Sequence, residues 1–326
     1  MTPGAPSNRI ALVACYLGPL PRYFRYFCDS AALNADVDFL VFSDQDPPTW
    51  LPGNVSLIPF SLQQFNELAS AKLGMDIRIT HPYKLCDFKP AYGVIFEDNL
   101  ASHDFWGMCD LDVIWGRIRH FVTEEVLNNC DVIAAKHTHT PGHFTLFRNR
   151  GMARDLFRQT EDYRTVFADV QRTYCYDETC TRWNQFYKLA DLQQKGTIAS
   201  IFEIALAMQE AGHLRLCLEY WVREHPAVFD YDYGDGVFTD HTDKREFMYF
   251  HLVHVKSQER FHIPHMERLP RQFRVLPDGL VPSGLGFWCK HALWRVGRSS
   301  HGTSHVIRAV CKRISSLVGG KWVRSA

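Results

Sequence analysis

Asp110 and Asp112, separated by Leu111, are the residues of this sequence whose types and spacing most directly suggest chemistry. They follow the apolar, aromatic run Phe105-Trp106-Gly107-Met108-Cys109 and precede Val113, Ile114 and Trp115. Carboxylates at the end of a buried strand are costly unless something pairs with them. A hard divalent cation is a suitable partner, because Mg²⁺ and Mn²⁺ take oxygen ligands and bridge phosphates. The pair therefore points to a metal-dependent enzyme acting on a nucleotide-linked substrate.

A second cluster competes with the first. His137, His139 and His143 fall within seven residues, around Thr138, Thr140, Pro141 and Gly142. Three imidazoles so spaced could hold zinc and support a hydrolase. No carboxylate lies within the run to complete such a site. A late segment, 247–255, reads as an apolar strand carrying His251 and His254, with Lys256 just after it. In a strand of period two the two histidines face opposite sides, so one of them at most reaches a shared ion.

These residues need a scaffold, and the pattern supplies one. Residues 9–15, 37–44 and 55–59 read as strands, and 20–33 and 61–74 as helices. Ser61 is suited to cap the second helix and Gly74 to end it. A helix from Pro82, interrupted near Pro90, runs to about residue 100. The strand 104–108 then delivers Asp110 and Asp112. Further strands are predicted at 131–136, 144–147 and 214–220, with helices at 152–159 and 196–212. Such alternation predicts an α/β fold with a mixed, mostly parallel sheet flanked by helices.

Composition narrows the class. With 326 residues, 46% of them apolar, the chain can bury a large core. Formal net charge is zero, which gives no electrostatic case for nucleic acid as a partner. Ten cysteines without a CxxC pair read as free thiols. The first apolar run is too short for a signal peptide, and no stretch nears the roughly 20 apolar residues of a spanning helix. A reduced, cytoplasmic enzyme is expected. From Gly279 onward there is no Asp or Glu, while Lys290, Arg295, Arg298, Arg308, Lys312, Arg313, Lys321 and Arg324 alternate with apolar residues. This tail reads as a basic amphipathic helical appendage suited to an anionic membrane surface. The expected division is a catalytic domain over 1–258 and the appendage over 259–326.

Four segments together carry a family resemblance. They are Pro82-Tyr83-Lys84-Leu85-Cys86-Asp87-Phe88-Lys89-Pro90, Asp104-Phe105-Trp106-Gly107, Cys109-Asp110-Leu111-Asp112-Val113-Ile114-Trp115-Gly116, and Gly142-His143-Phe144-Thr145-Leu146-Phe147-Arg148-Asn149. Over residues 9–256 the chain resembles a bacterial family of polysaccharide-biosynthesis glycosyltransferases of the GT-A type. The resemblance implies a GT-A-like (Rossmann-like) domain, a nucleoside-diphosphate sugar donor, and a glycan or lipid-linked acceptor. It implies that Asp112 binds Mn²⁺ or Mg²⁺ and that Asp110 shares the ion or holds the ribose. Lys84, Asp87 and Lys89 would lie near the nucleotide, and Tyr16, Ser43 and Asp44 near the base or ribose. Gly142 and His143 would line the donor-sugar or acceptor pocket. His251, or else His254, would complete the metal site, with Lys256 on the diphosphate. Asp177 or Glu178 would be the base of an inverting enzyme. Two other readings stay open: the zinc hydrolase on His137, His139 and His143, and a silent nucleotide-sugar-binding module.

Overall fold

The computed structural model describes residues 7–178, 198–224, 230–258, 261–264 and 267–283. A seven-stranded sheet forms its centre. It is built from β1 (Ile10–Cys15), β2 (Val37–Ser43), β3 (Val55–Pro59), β4 (Phe105–Cys109), β6 (Val132–Ala134), β7 (Phe144–Arg148) and β8 (Leu216–Leu218), in the order β3-β2-β1-β4-β7-β6-β8. Only β7 runs against its neighbours. The expected mixed, mostly parallel sheet flanked by helices is therefore present.

Alternation along each strand builds two cores at once. In β1, Ala11 and Val13 join one apolar cluster, while Ile10, Leu12 and Ala14 join another across the sheet. In β4, Trp106 and Met108 face the first cluster, Phe105 and Cys109 the second. Both faces are covered, which is why these strands read as continuous apolar runs. The helix Leu62–Leu73 begins with a capping box, the Ser61 hydroxyl accepting from Gln64 N and the Gln64 side chain from Ser61 N. Gly74 ends it in the left-handed region at φ 67°.

A second, three-stranded sheet does most to organise chemistry. It contains β5 (Val113–Trp115), β9 (Val222–Arg223) and β13 (Tyr249–His251), with β13 in the middle. His251 pairs with Val113 on one side, and Phe250 pairs with Arg223 on the other. Asp112 and Glu224, each one residue beyond those partners, thus flank His251.

Two predicted elements differ from expectation. The segment 247–255 is not one strand. β12 (Glu246–Phe247) belongs to a separate five-stranded sheet, β13 ends at His251, and residues 252–256 turn back, with Val255 N and Lys256 N both donating to Leu252 O. The segment 82–100 is a chain of one-turn helices, Pro82–Lys84, Leu85–Phe88, Lys89–Ala91, Tyr92–Ile95 and Glu97–Leu100. Pro90 removes a backbone donor, and Gly93 lies so close to Trp106 that a Cβ would fall 2.3 Å from its ring.

The boundary expected at 258/259 does not interrupt pairing. β14 (Gln272–Leu276) and β15 (Gly279–Pro282) extend the sheet of β10 (Tyr231–Gly234), β11 (Val237–Asp240) and β12 through pairing with β10. The basic tail from 284 onward lies outside the described residues. The cysteines at 15, 28, 86, 109, 130, 175 and 217 are free thiols. Among the described residues no helix is long and apolar enough to cross a membrane.

Candidate active site

The carboxyl ends of β1 and β4 open onto one cleft of about 1040 Å³, the place where open α/β sheets bind ligands. Its lining includes Tyr16, Lys89, Asp110, Asp112, His251 and Lys256, together with Asp177 and Glu178. These residues come from segments more than 200 positions apart.

Asp112 is buried and doubly paired. Its Oδ2 accepts from Lys256 Nζ at 2.7 Å, and its Oδ1 lies 3.4 Å from His251 Nε2. Burial opposes its charge, but His251 and Lys256 outweigh burial and hold the carboxyl well below the usual range. Burial would likewise depress His251. Asp112 and Glu224 offset it and hold the imidazole up at about 9. The turn after β13 explains Lys256: by folding back it brings the ammonium to the same carboxylate that faces His251. His254 is exposed and stands outside the group formed by Asp110, Asp112 and His251.

Asp110, Asp112 and His251 each offer one ligand atom, all within 4.8 Å of one another. Two carboxylate oxygens and one imidazole nitrogen, open to a cleft, form a donor set that could hold a divalent metal ion.

The opposite wall is anionic around one lysine. Lys89 Nζ donates to Asp110 Oδ1 at 2.8 Å and to Gly142 O at 3.2 Å, and lies 3.2 Å from Asp177 Oδ2. Burial works against its charge, yet Asp110 and Asp177 hold the ammonium well above its ordinary value. Lys89 is thus shared between Asp110 and Asp177, with Glu178 next in the chain. Burial pushes Asp177 up to about 8, against the pull of Lys89 and helped by Glu178. Burial also raises Glu178. Gly142 packs directly beneath this group: a Cβ there would fall 2.1 Å from Asp177 Oδ2 and 2.9 Å from Lys89 Nζ. Its N–H donates to Glu178 Oε1 at 3.4 Å.

Lys84 and Asp87, expected beside the nucleotide, are turned into the protein. They pair at 2.8 Å, and Lys84 Nζ also donates to Val166 O and Arg172 O. These three acceptors enclose the ammonium, and unlike Lys89 it does not line the cleft, so phosphate in the cleft does not reach it. Asp87 accepts from the backbone N–H of Tyr174 and Tyr176. Between them Cys175 sits at φ 52°, unusual for a residue with a Cβ. The buried carboxylate clamps this turn, and the turn presents Asp177 and Glu178. Asp44 is exposed. Its Oδ1 accepts from Gly18 N at 2.8 Å and from the Gln45 side chain, which braces the loop after Tyr16 without lining the cleft. Ser43 is buried, with Gln45 N donating to its hydroxyl.

The zinc arrangement does not assemble. His137 is exposed near Leu218 O, the His139 ring is 3.0 Å from the Thr138 hydroxyl, and His143 points to Tyr249 and Glu224. Among the described residues, no group of candidate ligands contains two of the three. The loop through Pro141 and Gly142 separates His143 from the other two. His143 lies behind the cleft wall, while Gly142 forms the support of Lys89 and Asp177.

Several site residues carried little sequence signal. Glu224 follows a strand of only two residues, too short for periodicity to reveal. Lys136, Tyr249, Tyr23 and Arg172 read as ordinary surface or core positions. Glu224 does share one feature with Asp110, a carboxylate directly after a strand, and that is the clue it offered.

Residues 12–283 match the family described as a family of unknown function (DUF6625), and the chain belongs to it. No curated protein matches. Among solved structures, a galactosyltransferase, LgtC, in complex with donor and acceptor sugar analogs aligns at 14% identity and TM-score 0.31, over 50% of this chain and 66% of that one. The apo form of mouse xyloside xylosyltransferase 1 aligns at 11% identity and TM-score 0.36, over 67% and 87% of the two chains. The apo form of the glycosyltransferase GlyE of Streptococcus pneumoniae TIGR4 aligns at 12% identity and TM-score 0.30, over 64% and 44%. The chain thus spans just under two thirds of LgtC and less than half of GlyE.

Proposed function

We propose that this protein is a metal-dependent, GT-A-like glycosyltransferase that moves a sugar from a nucleoside diphosphate to a hydroxyl of a glycan or lipid-linked acceptor. One observation carries the proposal: two carboxylates, one imidazole and two ammonium groups, from distant parts of the chain, meet in a single cleft wide enough for a nucleotide sugar. Asp110, Asp112 and His251 would hold Mn²⁺ or Mg²⁺, which would supply Lewis-acid stabilisation of the negative charge on a departing nucleoside diphosphate.

The protein's own groups divide the remaining work. Lys89 and Lys256 each sit on a metal-site carboxylate and can turn to phosphate oxygens once these arrive. Tyr16, at the end of β1, offers a ring for the base to stack on, and Asp110 can accept from the ribose. Gly142, lacking a Cβ, lets Asp177 and Lys89 pack at the wall where the sugar or acceptor would be held. On an inverting course, Asp177 or Glu178 takes the proton of the attacking hydroxyl. Asp177, raised to about 8, has a proton affinity near working pH, as a general base should. Polysaccharide biosynthesis and contact of the basic tail with an anionic membrane surface belong to the same proposal and rest on sequence alone.

Thermal denaturation with Mn²⁺ and UDP or GDP tests the core of it. Saturating nucleotide at about 100 times its Kd should stabilise the protein by roughly 2.7 kcal/mol. Asp112→Ala should abolish the metal-dependent part of that shift, and an undiminished shift would sink the metal assignment. Nucleotide binding without turnover over a broad donor and acceptor panel would instead mark a silent nucleotide-sugar-binding module.

A further inference from the structure

His251 stands between two acidic partners. Its Nε2 faces Asp112 Oδ1 at 3.4 Å, and its Nδ1 lies 2.8 Å from Glu224 Oε1. Glu224 is itself held from two more directions. Lys136 Nζ donates to Oε2 at 2.7 Å, and His143 Nε2 lies 3.3 Å from Oε1. The Tyr249 hydroxyl, 2.7 Å away, closes the other side of His143.

His251 therefore belongs to two sets of candidate ligands, one with Asp110 and Asp112, the other with His143 and Glu224. A neutral imidazole has one lone pair, so it can serve only one of them as a ligand. Access and charge decide which. Asp110, Asp112 and Lys256 line the cleft, and Asp110 and Lys256 are each about one third exposed, so phosphate and ion can reach them. Glu224, His143 and Lys136 lie behind the wall, where the one carboxylate already has its cation. A divalent ion added there would enter a closed, neutral cluster at high cost.

We propose that Glu224 is a positioning residue. It accepts the Nδ1–H of His251, fixes the ring, and turns Nε2 to the Asp112 side of the cleft, where an ion would take the place of the Nε2 proton. Lys136 keeps Glu224 ionised and in place, and His143, braced by Tyr249, fills the remaining direction. Carboxylates in this role orient metal-binding histidines and set their basicity. The inference rests on the metal-site reading given above.

The test uses the full chain with UDP. With Mg²⁺ present, ¹⁵N-resolved NMR of the wild-type protein should show His251 protonated at Nδ1 and not at Nε2; the opposite tautomer overturns the proposal without any variant. Mn²⁺ affinity, measured by the EPR signal of free Mn²⁺, should fall about 10–100-fold in Glu224→Gln, with circular dichroism used to show that the variant is folded. Equal affinity in a folded Glu224→Gln protein would overturn it, as would a metal ion found between His143 and Glu224. Failure of the wild-type protein to bind Mn²⁺ would instead sink the metal-site reading itself, which separates the two ideas.

Discussion

Lys84–Asp87 and Lys89–Asp110 are each a lysine and an aspartate 2.8 Å apart, and the two lysines lie five positions apart on one broken helical segment. The first pair is enclosed: Lys84 serves Val166 O and Arg172 O, and Asp87 gathers the amides of Tyr174 and Tyr176. The second faces the cleft, where Asp110 keeps 36% of its side chain exposed. Pairing alone does not separate a structural ion pair from a working one. What separates them is whether the pair opens onto the cleft, where something can arrive later. Asp87 spends its capacity on holding the Cys175 turn. Asp110 has capacity left for an ion or a ribose.

The comparison breaks most visibly at Asp87. Asp87→Ala strands the Lys84 charge in the interior and frees the two amides around Cys175. A loss of about 3–5 kcal/mol is expected, read from the urea midpoint. A near-wild-type midpoint would show that the enclosed pair is not what holds the turn. Next in size is Lys89→Met. It removes a charge-assisted hydrogen bond worth about 1.5–3 kcal/mol, so its stability cost should fall below that of Asp87→Ala. Its larger signature should be nucleotide binding, with UDP affinity in Mn²⁺ lowered roughly 10–150-fold by calorimetry. Intact affinity would remove Lys89 from the phosphate site.

The effect of Asp177→Asn should vanish at acid pH and grow as pH rises. Folded Asp177 keeps its proton up to about 8, whereas the ordinary carboxyl releases it near 3.8. Between these values the folded state binds more protons than the unfolded one, so this group's contribution to stability is full below about 4 and is lost as pH rises through 8. The asparagine variant should match wild type at pH 4 and gain on it toward pH 9 in denaturation midpoints. Parallel curves would show that Asp177 is ionised when folded.

Much of the scaffold was legible because its strands are long and buried on both faces. β1, β2 and β4 announce themselves as apolar runs, and Ser61 and Gly74 mark their helix by local capping chemistry. Asp112 and Asp110 were legible for the same reason, since a carboxylate directly after such a run calls for a partner. Lys84 and Asp87 show where reading by analogy fails: their spacing suits an exposed helix face, but Val166, Arg172 and the 174–176 turn close over them. The histidine cluster fails in the opposite way. Three residues adjacent in sequence are held apart because the chain turns at Pro141 and Gly142.

By itself, the sequence determined the alternating α/β pattern, the central parallel strands and a carboxylate pair that calls for partners, because each follows from local periodicity or from the cost of burying charge. Only the tertiary structure decided that His251 and not His254 faces Asp112, that Lys256 returns to the same carboxylate, and that Glu224 stands behind the imidazole. These depend on the register of three short strands, β5, β13 and β9, and on where β13 stops. Strands of two or three residues carry too little pattern to fix a register. It is the pairing of distant segments that places their side chains.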